Sequence, residues 1–238
     1  ALFEAAGFTV HSYPYYDAKR RGLDFDAMIG ALDGLPAGSI VLLHACCHNP
    51  TGADPTPAQR ERIVTTVRAR GLVPFLDLAY QGFGDGLDAD GAAVRRFAAT
   101  AGPLLIASSF SKSFSLYGER VGALTLVTGS RDEASRALSQ LKRIVRTNYS
   151  NPPTNGGKIV ATVLASPELR ALWESELGAM RDRIKAMRKI LVDRLHARVP
   201  GVDFSFMLTQ RGMFSYSGLT KAQVERLRAE HSIYAIDT

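Results

Sequence analysis

Four short apolar runs, each closing on a polar cluster and separated by helix-patterned stretches, limit what this chain can fold into. They are Ser39 to Ala45, Leu72 to Asp77, Leu104 to Ser108 and Val121 to Val127. The first reads Ser-Ile-Val-Leu-Leu-His-Ala, apolar throughout and bounded by Gly38 and Cys46. Such a run fits a strand buried on both faces. A Pro-rich turn leads from it to a helix over Pro57 to Arg70, with Ile63 and Val67 on one face and Gly71 as its stop. Strands alternating with helices of a dozen residues predict an α/β layered fold around a mostly parallel sheet, with helices on both faces. In such sheets function gathers at the carboxyl ends of the strands. The polar clusters lie there: His44 to Gly52, Asp77 to Tyr80 and Ser108 to Lys112.

Either side of this block the pattern differs. Phe8 to Tyr13 alternates as a strand does, and Asp24 or Asp26 is placed to cap a short helix, Phe25 to Leu32, ending near Gly34. Past Gly129 the chain turns helical, with an amphipathic stretch from Arg131 to Arg146, a break at Asn148 to Pro153, and a further helix to Ala165. Ser166-Pro167-Glu168 is a strong helix start. From there Leu169, Leu172, Trp173, Leu177, Met180, Ile184, Met187, Leu191 and Leu195 recur every three or four residues. The expected helix covers residues 167–198, about 45 Å, and is read as joining a major domain, 1–179, to a smaller α+β one, 180–238. Val202 to Met207 and Met213 to Tyr216 are taken as further extended segments, followed by a helix from Lys221 to Glu230 capped by Thr220. A last strand is expected to be just beginning at Thr238.

With 46% hydrophobic and 22% charged residues over 238 positions, the composition is that of an ordinary globular enzyme with room for a sizeable core. The net charge of +6 comes largely from arginines on helical segments, without interleaved aromatics. Solvated helix faces account for it, and nucleic acid is not expected as a partner. The two cysteines, Cys46 and Cys47, are neighbours and so poorly placed to bridge. A reduced, cytoplasmic protein follows. No apolar run approaches the roughly 20 residues of a bilayer span, so no membrane is expected. Ala1 to Phe8 lacks an initiator Met and a basic leader and reads as a helix entered midway, hence a fragment.

The polar clusters admit several chemistries. His44-Ala-Cys-Cys-His48 offers four potential ligands in five residues, yet neighbouring strand side chains point apart and no second Cys/His pair follows at zinc spacing; no metal is expected. Ser109-Phe-Ser-Lys112 matches the Ser-x-x-Lys of acyl-serine enzymes, without that mechanism's Ser-Asp-Asn and Lys-Thr-Gly companions. Asp77 stands where a Walker-B acid would, with no phosphate-loop sequence to pair with it. Lys112 itself follows a strand end, among five serines and eight residues before Arg120. It reads either as a surface lysine or as an amine positioned and partly desolvated to act as a nucleophile. Together the clusters supply an amine for covalent attachment, a carboxylate for a protonated pyridine nitrogen, donors for a phenolic oxygen, and serines with an arginine for a phosphate. Those are the needs of pyridoxal phosphate.

His44-Ala-Cys-Cys-His-Asn-Pro-Thr-Gly52, Asp77-Leu-Ala-Tyr-Gln-Gly-Phe83, Ser109 to Gly122 and Arg146-Thr-Asn-Tyr-Ser-Asn-Pro-Pro153 strongly resemble the class I aminotransferases. The aspartate and aromatic amino acid branch is the nearest in look, and the resemblance runs on to the Gly212-Met-Phe-Ser-Tyr-Ser-Gly-Leu-Thr220 stretch. It implies the fold type I architecture of pyridoxal-phosphate enzymes and a ping-pong transfer of an amino group from aspartate or an aromatic amino acid to 2-oxoglutarate. The same resemblance implies a cytoplasmic homodimer with shared active sites.

Carried over by position, Lys112 matches the lysine that holds the cofactor and shuttles the proton, and Asp77 the partner of the pyridine nitrogen. Tyr80 and Asn49 match the donors to the phenolic oxygen, Asn49 lying also near the substrate carboxylate. Ser109, Ser111 and Arg120 fall in or beside the phosphate cup. His44 matches a histidine that orients the aspartate, or else is a satisfied strand histidine. Arg146 matches the arginine that reaches into the neighbouring subunit to bind a distal carboxylate, or is one more helix-face arginine. The family's Gly-rich loop and stacking aromatic would precede Ala1, and its α-carboxylate arginine would follow Thr238. Two other readings stay open: decarboxylase or lyase chemistry with the same cofactor, and a non-catalytic amino-acid sensor domain in a regulator.

Overall fold

The computed structural model describes residues 2–236. A one-turn helix α1 (Leu2–Ala5) precedes a two-stranded antiparallel ladder, β1 (Tyr16–Asp17) with β2 (Gly22–Leu23), and then α2 (Phe25–Asp33). The layered unit follows: β3 (Ile40–His44), α3 (Pro57–Ala69), β4 (Val73–Leu78), α4 (Leu87–Asp90), α5 (Ala92–Ala98), β5 (Leu104–Ser109) and β6 (Gly122–Val127). The rest is helical: α6 (Arg131–Asn148), α7 (Thr154–Ala165), the 32-residue α8 (Pro167–Arg198), a 3-10 turn at Ser205–Thr209 and α9 (Lys221–His231).

The four strands lie in sequence order, with β3, β4 and β5 parallel and β6 antiparallel at the edge. The α/β class with a mixed, mostly parallel sheet is therefore what the alternating pattern predicts. Side chains alternate along a strand, and one face carries Val41, Leu43, Leu76 and Ile106 into a core shared with Met28, Leu32 (α2), Ile63, Val67 (α3) and Phe97 (α5). The helix ends are built as their residues dictate. Thr56 and Gln59 form a reciprocal capping box at α3, Ser130 and Ser166 cap α6 and α8, and Gly71 leaves α3 with φ +63°.

Four expectations need correction. β3 is buried on one face only: Ile40 and Leu42 are 41% and 38% exposed on the other. An unbroken apolar run does not say which faces a neighbour covers. Residues 8–13 form no strand, since the segment pairs with no ladder and is tied instead by the Tyr13 hydroxyl donating to the Leu42 carbonyl at 2.7 Å. Asp24 stands at the N-cap position of α2 without a side-chain cap bond. The stretches 202–207 and 213–216 are a 3-10 turn and an irregular strap, not strands. The start of a strand expected at Thr238 lies outside the described residues.

Candidate functional site

Register decides which residues meet at the carboxyl end of the sheet. His44 pairs with Asp77, Asp77 with Ala107, and Ser109 with Gly122. Residues side by side in a ladder share a face, so His44, Asp77 and, one step further on, Ser109 lie on the half-exposed face opposite the packed core. The loops that leave β3, β4 and β5 then build over this edge.

The loop after β3 is tied from inside. Asp54 accepts from the backbone N–H of Cys47 (2.7 Å) and His48 (2.9 Å), and Arg60 of α3 lies 3.6 Å from its carboxylate. The loop turns through left-handed backbone at Cys47 (φ +54°) and Gly52 (φ +65°), with a cis Asn49–Pro50 peptide between. The Asn49 backbone N–H donates to His44 Nδ1 at 3.2 Å, which leaves the ring proton on Nε2. Burial holds the His44 pKa below its ordinary value, although the nearby Asp77 charge pulls it up. His48 is paired with Thr51 Oγ1 through Nδ1 (2.8 Å) and stacks on Tyr15 at 3.8 Å, with the His44 ring 4.5 Å away on a tilt. Burial, helped by His44, takes its pKa down to about 3, so this ring is neutral.

Tyr80, 6% exposed, is where the three strand-end loops converge. Asn49 Nδ2 donates to its hydroxyl at 3.2 Å, and Lys112 Nζ lies 4.7 Å from its ring centroid. Burial raises the Tyr80 pKa and the Asp77 charge adds to that, while the Asn49 bond opposes it. Lys112 sits in a tight turn after β5. Ser111 N–H donates to Ser109 Oγ (3.3 Å), Phe110 N–H to the Val121 carbonyl (3.2 Å), and Trp173 Nε1 of α8 to the Ser113 carbonyl (2.6 Å). Phe114 stacks on Trp173 at 4.4 Å, completing the anchor.

The structure thus brings together His44, Asn49, Asp77, Tyr80, Lys112, Ser109 and Ser111. Arg120 is at the rim, exposed, with φ +50° and its guanidinium donating to the Tyr117 carbonyl (3.0 Å). Arg146 is apart from the cluster on exposed α6, donating to Ser150 Oγ one turn further along the chain. The His-Cys-Cys-His run does not converge on one point. Cys47 Sγ faces the Tyr80 carbonyl (3.7 Å), and the ligand atoms of Cys46, Cys47 and Asp90 fall within 4.8 Å of one another. Asp90 is already engaged by the N–H groups of Gly82, Gly84 and Asp85, and a hydrogen bond to Cys47 together with burial pushes the Cys46 thiol well up.

Sequence reasoning passed over Tyr15, Asp54, Arg188 and Phe214, and took His48 only as a candidate metal ligand and Trp173 only as part of the apolar stripe. One of them left a signal. Arg188 falls four residues after Ile184 and four before Val192, a cation on the apolar stripe of α8.

Chemically the cluster holds one primary amine, one carboxylate at a strand end, a phenol fed by an amide N–H, and two serine hydroxyls. Residues 1–238 match the family model described as aminotransferase class I and II. The chain is 60% identical over 238 residues to an aspartate aminotransferase of Pseudomonas aeruginosa, covering 100% of this chain and 60% of that protein. It is 51% identical over 236 residues to the aromatic-amino-acid aminotransferase of Escherichia coli, covering 99% of this chain and 59% of the relative. A crystal structure of an aromatic-amino-acid aminotransferase from Burkholderia pseudomallei, covalently bound to pyridoxal phosphate, superposes with a TM-score of 0.97 at 66% identity, over 99% of this chain and 59% of that one. The chain therefore spans about three fifths of the length of these relatives.

Proposed function

This chain belongs to the class I and II aminotransferase family, and from that premise we propose that it carries the cofactor wall of an aminotransferase moving the amino group of aspartate or an aromatic amino acid to 2-oxoglutarate with pyridoxal phosphate. The observation that carries the reading is the junction of Lys112, Tyr80 and Asn49 beside the paired strand ends of His44 and Asp77. The donor set fits the cofactor: an amine for its carbonyl, a carboxylate for its ring nitrogen, a hydroxyl and an amide for its phenolic oxygen, serines and an arginine for its phosphate. Bound there, the cofactor supplies a carbonyl for covalent attachment and a ring that accepts the electron pair left when the substrate loses its Cα proton.

The chain's own residues do the rest. Lys112 would hold the cofactor and, once released from it, would take the proton from Cα and deliver it to the cofactor's former carbonyl carbon, general acid–base work by one amine. Asp77, at the strand end, would pair with the pyridine nitrogen and favour its protonated form. Tyr80 accepts from Asn49, so its own O–H is directed onward and available to the phenolic oxygen. His44, with Nδ1 committed to the Asn49 N–H, offers Nε2–H as the donor that orients Asp77. Ser109, Ser111 and Arg120 receive the phosphate, where a guanidinium gives a paired, charge-assisted contact. Asn49 also meets the substrate carboxylate.

Arg146 serves the neighbouring subunit's site by binding a distal carboxylate, which makes the protein a homodimer with shared sites. Its exposure on α6, beside exposed Leu138 and Ile144, supports that placement. A long α8 supports the division into a major domain, 1–179, and a smaller one, 180–238. Among the described residues no helix is long and apolar enough to cross a membrane, which supports a cytoplasmic location. The test is to assay the complete protein with aspartate, tyrosine and phenylalanine against 2-oxoglutarate, while following the absorbance of bound pyridoxal phosphate. Amino transfer with loss and return of that absorbance is expected. Cofactor uptake without amino transfer, or no uptake, overturns the proposal.

A further inference from the structure

Arg188 is 5% exposed on the apolar stripe of α8, where a guanidinium is costly unless its donors are met. They are met by one short segment. Nε donates to Ser215 Oγ (3.0 Å), Nη2 to the carbonyls of Gly212 (2.8 Å) and Phe214 (2.9 Å), and Nη1 to the carbonyl of Gln210. Burial lowers its pKa, and the guanidinium still carries its charge. The same segment is closed on itself: Gln210 Nε2 donates to the Tyr216 carbonyl (2.8 Å) and Tyr216 N–H to Gln210 Oε1 (2.9 Å). Residues 210–216 thus form a strap gathered around one buried cation.

The strap is pressed against the back of the Asn49 loop. Arg211 N–H donates to the Gly52 carbonyl at 2.8 Å. A Cβ on Gly212 (φ +85°) would come 2.6 Å from Cys47 Cβ, and one on Gly52 would come 2.9 Å from Gln210 Cβ, so both approaches require glycine. At its end Phe214 sets its ring against the Tyr80 ring, edge to face at 5.7 Å between centroids. The strap therefore bears directly on Tyr80 and, through Cys47 and Gly52, on the loop that carries Asn49.

We propose that Arg188 is a positioning residue for the Asn49–Tyr80 pair: by gathering residues 210–216 it fixes that hydrogen bond from behind the loop, and so sets the acid–base behaviour of the cofactor bound in front of it. The inference rests on the function proposed above. A residue that merely stabilised the fold would lower the melting temperature and leave the bound chromophore's titration alone.

The experiment uses the complete protein loaded with pyridoxal phosphate and compares Arg188→Met, Arg188→Lys, Ser215→Ala and Tyr80→Phe, with the exposed Lys189→Ala as control. Arg188→Met is expected to move the pH midpoint of the cofactor absorbance in the same direction as Tyr80→Phe, by about half to one unit, and to lower kcat about tenfold with little change in KM. Arg188→Lys recovers part of both. Joined to Tyr80→Phe, Arg188→Met adds little further shift, because the two act on one hydrogen bond. An unmoved midpoint in a folded Arg188→Met protein, or a shift that adds fully to that of Tyr80→Phe, overturns the inference. If Arg188→Met does not fold, Ser215→Ala decides: a smaller shift of the same sign upholds the inference and an unmoved midpoint overturns it. Failure of wild type to take up the cofactor overturns instead the function on which the inference rests.

Discussion

The wall formed by His44, Asn49, Asp77, Tyr80 and Lys112 differs from the arginine side, made of β6, α6, Arg120 and Arg146. On the wall three placements come from partners far away in sequence: Asn49 by Tyr80, Tyr80 by Phe214, the Lys112 turn by Trp173. On the arginine side the bonds are local, Arg120 to Tyr117 and Arg146 to Ser150, and α6 has no buried residue at all. The wall is preorganised by the fold of this chain. The arginine side presents charge and apolar surface outward, as the proposed sharing of a site with a second copy requires. Residues of the first kind are expected to govern chemistry, and those of the second kind to govern which substrate is accepted.

The hardest test of this contrast is Lys112→Ala. It should lower amino transfer by about a thousandfold or more and abolish the absorbance of covalently held cofactor. A protein that keeps its turnover would remove Lys112 from the mechanism. Arg146→Ala tests the other side. A charge-assisted pair to a distal carboxylate is worth about 1.5–3 kcal/mol, so transfer from aspartate should fall roughly 10- to 100-fold while transfer from phenylalanine changes less than about threefold. Equal losses on both donors would mean that Arg146 does not read a distal carboxylate.

Tyr80→Phe sits between these in kind, since it touches chemistry without removing the amine. About a tenfold fall in kcat and a displaced chromophore titration are expected, from the loss of one hydrogen bond to a charged oxygen. An unchanged absorbance titration would separate Tyr80 from the phenolic oxygen.

The smallest effect concerns stability. His48 titrates at about 3 when folded, against an ordinary 6.5. Between those values the unfolded chain binds the proton that the folded one refuses, so stability falls as pH drops through 6.5 toward 3. With the ring only partly buried, about 1 kcal/mol should be lost between pH 7 and 5. Urea titrations at the two pH values check this, and His48→Gln should flatten the difference. A difference as steep in His48→Gln as in wild type would assign the pH dependence elsewhere.

How legible each part was in the sequence follows the same division. β4, β5 and β6 were visible because apolar runs bounded by polar clusters fit few other structures. The candidate residues were visible because a parallel sheet gathers its strand ends. Phe8 to Tyr13 misled for a physical reason: alternation shows that a segment suits a strand, whereas a strand exists only when a neighbour supplies its ladder. Met213 to Tyr216 misled similarly, because Arg188 takes the Phe214 carbonyl and Gln210 takes the Tyr216 carbonyl and N–H that a strand would give to a partner. Trp173 was read only as part of the apolar stripe, although its indole N–H holds the Lys112 turn.

By itself the sequence determined the α/β class, the extent of α8 from its Ser166 cap onward, and which amine, carboxylate and donor side chains stand at the strand ends. Those depend on local patterning and on residue type, which are written along the chain. Only the tertiary structure decided that Asn49 bonds to Tyr80, that His44 carries its proton on Nε2, that Tyr15 and His48 form a neutral stack behind it, and that a buried arginine holds a strap against the same loop. These depend on which distant groups are pressed together and shielded from water, and burial of that kind is a property of the packed molecule and not of any segment of it.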